Sequence, residues 1–341
     1  MQQPLINNRF VERFNLSTPI ALAPMALATG GELAAACARA GALSLVGGGY
    51  GDLDWTRREY SDAINRLEGN QEGLLRLGCG FISWKLAEDQ SALDWLLDQQ
   101  PKPAAVMLSF GDPTAIAKIL SDHQIPVICQ IQTMAQLPQA IDAGATVIVA
   151  QGTEAGGHGM NELDGRSTFT FVPEIADWLA AHSPQTILLA AGGIADGRGL
   201  AAAMTLGADG ALIGSRLWAT TQSLAPARAK SSALQANGDA TARSSIFDIL
   251  RSKNWPKQFD FRAIRNQIHR EWEGRIEELR ANPKAAIEDY LGGVGQEDYD
   301  RAHITVGQDV GLINDISSAE DVIDHISRDA ARLLSGGVSG K

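Results

Sequence analysis

The stretch QGTEAGGHGM at 151–160 follows the apolar run TVIVA at 146–150 and sets one histidine, His158, on a glycine-rich loop where a buried strand should end. Gly156, Gly157 and Gly159 remove bulk around it, so the imidazole is presented to open space. An ordinary imidazole pKa of about 6.5 suits proton transfer near neutral pH, so the chemistry this spacing spells is acid–base catalysis. Glu154, four residues earlier, either orients the histidine or bonds the loop backbone.

Two further segments supply an anion site. ILLAAGGI at 187–194 and GALIGSR at 210–216 are short apolar runs that break into glycine just before a helical stretch. Gly192 and Gly193 let backbone approach a phosphate oxygen without a Cβ in the way; Gly214 and Ser215 add amide donors and a hydroxyl where the next element starts. Gln130, a polar residue inside the strand-like run PVICQIQ at 126–132, needs a partner, either a cofactor ring edge or a core hydrogen bond. Ala23, Pro24 and Met25, at the end of the first apolar run, either lay backbone and a thioether against a flat ring or serve as core. No G-x-G-x-x-G motif follows that run, which argues against a Rossmann dinucleotide unit.

The elements that must position these residues follow from periodicity. Apolar runs begin near 19, 42, 75, 104, 126, 146, 186 and 210. They alternate with helical-period stretches at 31–40, 56–67, 91–99, 113–120, 134–143, 172–181 and 197–206. This alternation predicts a parallel sheet of the α/β class, and eight repeats predict closure into a (β/α)8 TIM barrel. The glycine motifs then sit at the C-terminal ends of strands six, seven and eight, the face where such barrels place their active sites. Beyond about 217 the alternation stops. Residues 225–293 read as helix and loop, with Trp255-Pro256 as a breaker and 262–280 as a charged helix, forming a helical insertion after the eighth strand and over the barrel mouth. Residues 309–313 and a helix at 318–334, capped by Ser317 or Ser318, return to close the barrel, and 336–341 reads as a frayed tail.

Composition limits the partners. A chain of 341 residues that is 45% hydrophobic can bury a barrel-sized core without a second, unrelated domain. A net charge of −11 and the absence of a dense lysine/arginine block disfavour nucleic acid and anionic membrane, leaving a small molecule. Cys37, Cys79 and Cys129 are scattered through apolar stretches, without C-x-x-C or a histidine at metal-ligand spacing, and read as buried, reduced thiols with no metal. Residues 1–14 lack a signal-peptide core and no run reaches the ~18 apolar residues of a membrane span, so a cytoplasmic protein is expected. His123, His182, His269, His303 and His325 lie in polar contexts and read as surface.

With these residues in view, the chain resembles the nitronate monooxygenases, formerly called 2-nitropropane dioxygenases, flavin barrels related to the FMN-dependent enoyl-acyl-carrier-protein reductases. The matching stretches are PIALAPM at 19–25, QGTEAGGH at 151–158, AGGIAD at 191–196, GALIGSR at 210–216, RAIRN at 262–266 and GQDVGLI at 307–313, which span nearly the whole chain. Two places depart from the related patterns. Gly-Met follows His158 where one subgroup usually has arginine and glycine, and GCGF at 78–81 lacks the asparagine common in the reductases.

The resemblance implies FMN with its phosphate on Gly193, Gly214 and Ser215 and its ring near Met25 and Gln130. Ala23, Pro24, Gly156, Gly157 and Gly192 complete the implied cofactor contacts, and His158 is the implied base. It further implies an FMN-binding barrel of residues 1–218 and 307–341, with 219–306 as the insertion covering the mouth. The implied reaction is oxidation of an alkyl nitronate, or of a nitroalkane after deprotonation, with O2 to a carbonyl compound plus nitrite or nitrate. Two other readings stay open: an NAD(P)H-dependent flavin reductase acting on quinones or enoyl thioesters, and a non-catalytic binder of flavin or another phosphate ligand.

Overall fold

Short runs rich in valine, isoleucine, leucine and alanine become parallel strands buried on both faces in the computed structural model, which describes residues 4–336. Of the expected tail at 336–341, residues 337–341 lie outside the described residues. In chain order the strands are β1 (Ile20–Leu22), β2 (Leu43–Gly49), β3 (Leu77–Ile82), β4 (Val106–Ser109), β5 (Val127–Ile131), β6 (Val147–Gln151), β7 (Gly157–Met160), β8 (Ile187–Ala191), β9 (Gly210–Ile213), β10 (Thr241–Ser244) and β11 (Phe259–Ile264). β1 to β6 with β8 and β9 form a closed barrel, sealed where Ala21 of β1 pairs with Leu212 of β9. The chain is a (β/α)8 TIM barrel, and all eight strands fall on the expected runs.

Alternation along each strand separates two cores. Leu43 and Leu45, Val147 and Val149, and Ile187 and Leu189 point into the barrel, whereas Ile148, Leu188 and Ala190 pack outward against the helices. The inner core is sealed below by a helix absent from the sequence reading, Arg9–Phe14, whose Phe10, Val11 and Phe14 are buried among the inward side chains. Asn8 starts that helix by accepting hydrogen bonds from the amides of Phe10 and Val11. The last helix, Ala319–Leu334, is capped by Ser318, which accepts from the Asp321 amide. It packs against the helix Gly197–Thr205 so closely that a Cβ on Gly197 would stand 2.4 Å from the Asp329 Cβ.

The segment after β9 contains helices, and also two strands that the sequence reading missed. β10, β11 and β7 make a separate antiparallel sheet in which Phe261 lies opposite His158. The expected helix at 262–280 is therefore corrected: strand Phe259–Ile264 is followed by two short helices, Gln267–Trp272 and Ile276–Ala281, parted at Gly274. Strand pairing decides this, because the glycine-rich edge at 157–160 gives the run a partner that is remote in sequence and buries Phe259, Phe261, Arg262 and Ala263. Among the described residues no helix is long and apolar enough to cross a membrane. All three cysteines are buried and free, and burial pushes the Cys79 and Cys129 thiols up to about 12.

Candidate active site

A cavity of about 550 Å3, within the usual range for small-molecule sites, opens at the C-terminal ends of the barrel strands. Every site residue expected from the sequence borders it: Ala23, Pro24 and Met25 after β1, Gln130 on β5, Gly156, Gly157 and His158 after β6, Gly192 and Gly193 after β8, and Gly214 and Ser215 after β9. The segment after the barrel contributes Arg251, Trp255 and Phe261 to the same cavity.

His158 is held on three sides. Its Nε2 lies 2.9 and 3.0 Å from the two carboxylate oxygens of Asp248, on the short helix Ile246–Leu250. The Trp255 indole stacks on the imidazole with centroids 3.4 Å apart and planes 11° off parallel, and the Phe261 ring lies 4.8 Å away. With Asp248 accepting from Nε2–H, the neutral ring carries its lone pair on Nδ1, which has no hydrogen-bond partner among the described residues. Burial is the main influence on the imidazole and lowers its pKa below the ordinary value. The hydrogen bond and charge of Asp248 oppose that shift, and Arg251 and Arg243 add to it. The ring is accordingly neutral near pH 7 and competent to accept a proton.

Glu154 serves the loop backbone and not the histidine. Its carboxylate accepts from the Ser167 and Thr168 hydroxyls and from the Thr168 amide. The carbonyls of the histidine loop are gathered by a buried arginine on β10: Arg243 donates to Gly157 O at 3.0 Å and to Ala155 O at 2.7 Å. Gly156 is required by close approach, since a Cβ there would come within 2.6 Å of the Val306–Gly307 backbone. Gln130 donates to Gln151 Oε1 at 3.1 Å, and Gln151 donates to the His158 carbonyl at 3.0 Å. The strand amide thus has a protein hydrogen bond while also bordering the cavity.

Beside the start of the histidine loop, where a Cβ on Gly192 would stand 2.9 Å from the Ala155 amide nitrogen, the backbone is shaped for an anion. Gly192 and Gly193 have φ of 98° and 78°, which glycine adopts without a steric penalty. The amides of Gly193 and Gly214 make no hydrogen bond among the described residues. A Cβ on Gly214 would meet nothing closer than Met25 Sδ at 3.7 Å, so glycine leaves this space for a ligand. The Ser215 hydroxyl accepts from the Gly307 amide at 2.9 Å, and the Gln308 amide donates to Glu154 O at 2.8 Å, which ties the returning turn 307–312 to both loops.

Of the histidines read as surface, His269 is buried and His303 half-buried. His269 bonds the Ser244 hydroxyl at 3.0 Å. His303 borders the cavity with Nδ1 2.8 Å from the Tyr290 hydroxyl, and burial pushes its pKa down to about 3. His303 sits between Ala302 and Ile304 and His269 follows Ile268, all buried, so both rings belong to stretches that tertiary packing covers. His123, His182 and His325 are exposed as expected.

Comparison with known proteins adds a family. A model described as nitronate monooxygenase matches residues 78–329. The chain is 32% identical to the nitronate monooxygenase npaC of Metarhizium robertsii, over 92% of this chain and 90% of that one. It is 30% identical to the nitronate monooxygenase of Neurospora crassa, over 92% and 89%. Among solved structures it is similar to FabK from Thermotoga maritima, with a TM-score of 0.80 at 25% identity over 97% of this chain and 98% of that one. The nitroalkane oxidase of Streptomyces ansochromogenes, at 22% identity and a TM-score of 0.77 over 96% and 99%, shares the fold.

Proposed function

The chain belongs to the nitronate monooxygenase family, and we propose that it uses FMN and O2 to oxidise alkyl nitronates to a carbonyl compound plus nitrite or nitrate. One observation carries this reading: a single cavity joins a neutral histidine with a free Nδ1 to a wall of unpartnered glycine amides. The residues present fit the cofactor. The Gly193 and Gly214 amides, with Ser215 beside them, would hold its phosphate, because turn amides left without a protein acceptor favour an anion. Met25, Pro24 and Gln130 would border its ring. When bound, the flavin supplies the electron chemistry that no side chain here offers.

The protein's own part is to bind, to orient and to move one proton. A neutral nitroalkane gives its α-proton to His158 Nδ1. The imidazolium so formed is stabilised by Asp248, which already holds Nε2–H and keeps the lone pair turned from itself. A nitronate supplied as the anion needs no base, and there His158 acts as a hydrogen-bond donor or cationic partner. Trp255 and Phe261 exclude water from the ring. Residues 219–306 act in this reading as the cover that sets substrate size, and the buried free thiols suit a reducing, cytoplasmic setting.

The purified protein should be yellow and release FMN, not FAD, on denaturation. Without oxygen, an alkyl nitronate should reduce the bound flavin faster than NADH or NADPH does. The reverse preference would favour the NAD(P)H-dependent reductase of quinones or enoyl thioesters, and a colourless protein that cannot be reconstituted with FMN would remove the reading.

A further inference from the structure

The anion-binding end of the cavity contains an acid where a base would be expected. Asp309, in the turn Gln308–Leu312, borders the cavity and is 6% exposed, and its Oδ1 has no hydrogen-bond partner among the described residues. Its neighbours offer no countercharge. Burial is the main influence and raises its pKa; the Ser215 hydroxyl and the Asp309 amide oppose that shift, and Glu154, the one charged group acting on it, adds to it least. The cations of the neighbouring helix Ala227–Ala233 are turned aside: Lys230 donates to the Thr220 and Ser223 carbonyls, and Arg228 to that of Gln296. Among the described residues, Arg251 is the one lysine or arginine bordering the cavity, and it lies at the histidine end, over the Phe261 ring and 4.0 Å from Asp248.

Two negative charges cannot share this pocket cheaply. A phosphomonoester brings between one and two charges near neutral pH, with a second pKa of about 6. A carboxylate beside it, unpaired and buried, would be repelled and poorly solvated. A protonated carboxyl instead offers a donor in the same position, and the atom left unsatisfied is the one that would gain a partner. We propose that Asp309 sets cofactor affinity: it binds the flavin phosphate as the neutral acid and shares one proton with a phosphate oxygen, so that FMN binding takes up a proton and weakens as pH rises. This rests on the FMN reading given above. Burial supports it independently of any ligand, since it pushes the Asp309 carboxyl up to about 6.

The sign follows from linkage. Below about pH 6 the proton is already in place and binding draws none from solvent. Above it, Kd rises by up to tenfold per pH unit until the pKa of the complex is reached. Asp309→Asn keeps a donor without the charge, so comparison with the wild type cancels the ligand's own ionisation.

The test titrates the flavin-free, full-length chain with FMN and with riboflavin, which lacks the phosphate, and follows quenching of flavin fluorescence between about pH 5.5 and pH 8.5. The wild-type Kd for FMN should weaken between pH 6 and pH 8 by roughly 50-fold more than that of Asp309→Asn, whereas riboflavin shows no such difference. FMN profiles that run parallel in the two proteins would overturn the role of Asp309 and leave the FMN reading intact. Failure of the wild type to bind either flavin would overturn both. Should Asp309→Asn not fold, calorimetry of the wild type in buffers of different ionisation enthalpy decides: FMN should take up close to one proton more than riboflavin at neutral pH, and equal uptake would contradict the proposal.

Discussion

His158 and Asp248 come from strands and helices 90 residues apart, yet they act as one group, because each satisfies a polar atom that burial would otherwise leave exposed to low dielectric. Removing the carboxylate by Asp248→Ala deletes the two influences that raise the imidazole pKa and leaves burial, Arg251 and Arg243, which lower it. The acid limb of the kcat/KM profile for a neutral nitroalkane should therefore move to lower pH. The plateau should fall about 10- to 100-fold, since the ring loses its orientation and the imidazolium its counterion. A limb that moves upward, or a plateau that does not change, would contradict the pairing. His158 was legible in sequence because glycines surround it and phosphate-type loops follow. Asp248 was not, since in the run IFDIL it is one acid among apolar positions, and nothing local names the partner that a buried carboxylate needs. Glu154 lay near the histidine in sequence and is bound to the Ser167–Thr168 turn instead, because sequence proximity in a loop does not fix side-chain direction.

At the scale of elements, the barrel was legible because each strand is a continuous apolar run whose burial on both faces is a local property. The β7–β11–β10 sheet was not, since its edge is written in glycine and its partner strands lie about a hundred residues downstream. That sheet fixes the histidine loop from outside the barrel and carries the chain on to Trp255, which meets Phe110, Trp84 and Phe259 edge-on and donates to the Tyr50 hydroxyl at 2.9 Å. Replacing Trp255 by alanine should open room beside His158 and lower KM for long-chain nitronates relative to short ones, with FMN content per chain unchanged. Arg265, which pairs with Glu273 and does not border the cavity, serves as the control, and Arg265→Ala should alter neither. Loss of FMN on Trp255→Ala would place the indole against the cofactor and not the substrate.

For the whole molecule, stability and chemistry sit at opposite ends of one barrel. Phe10, fully buried beneath the inward side chains, seals the N-terminal end, and Phe10→Ala should cost about 3–5 kcal/mol in denaturant or thermal unfolding, the usual effect of emptying an aromatic site. FMN affinity in the folded fraction should stay unchanged, and a matching loss of affinity would show that the plug shapes the upper cavity. The side chain of His158 bonds Asp248, whereas the Gly193 and Gly214 groups facing the cavity are backbone amides, so the histidine can be altered with those amides left in place. His158→Asn should retain FMN by absorbance and lose roughly 10²- to 10⁴-fold in kcat/KM on a neutral nitroalkane, the usual contribution of a positioned base, while oxidation of the preformed nitronate falls much less. Equal losses on the two substrate forms would mean that His158 positions the substrate without taking its proton, and no loss on either would move the active centre away from this loop.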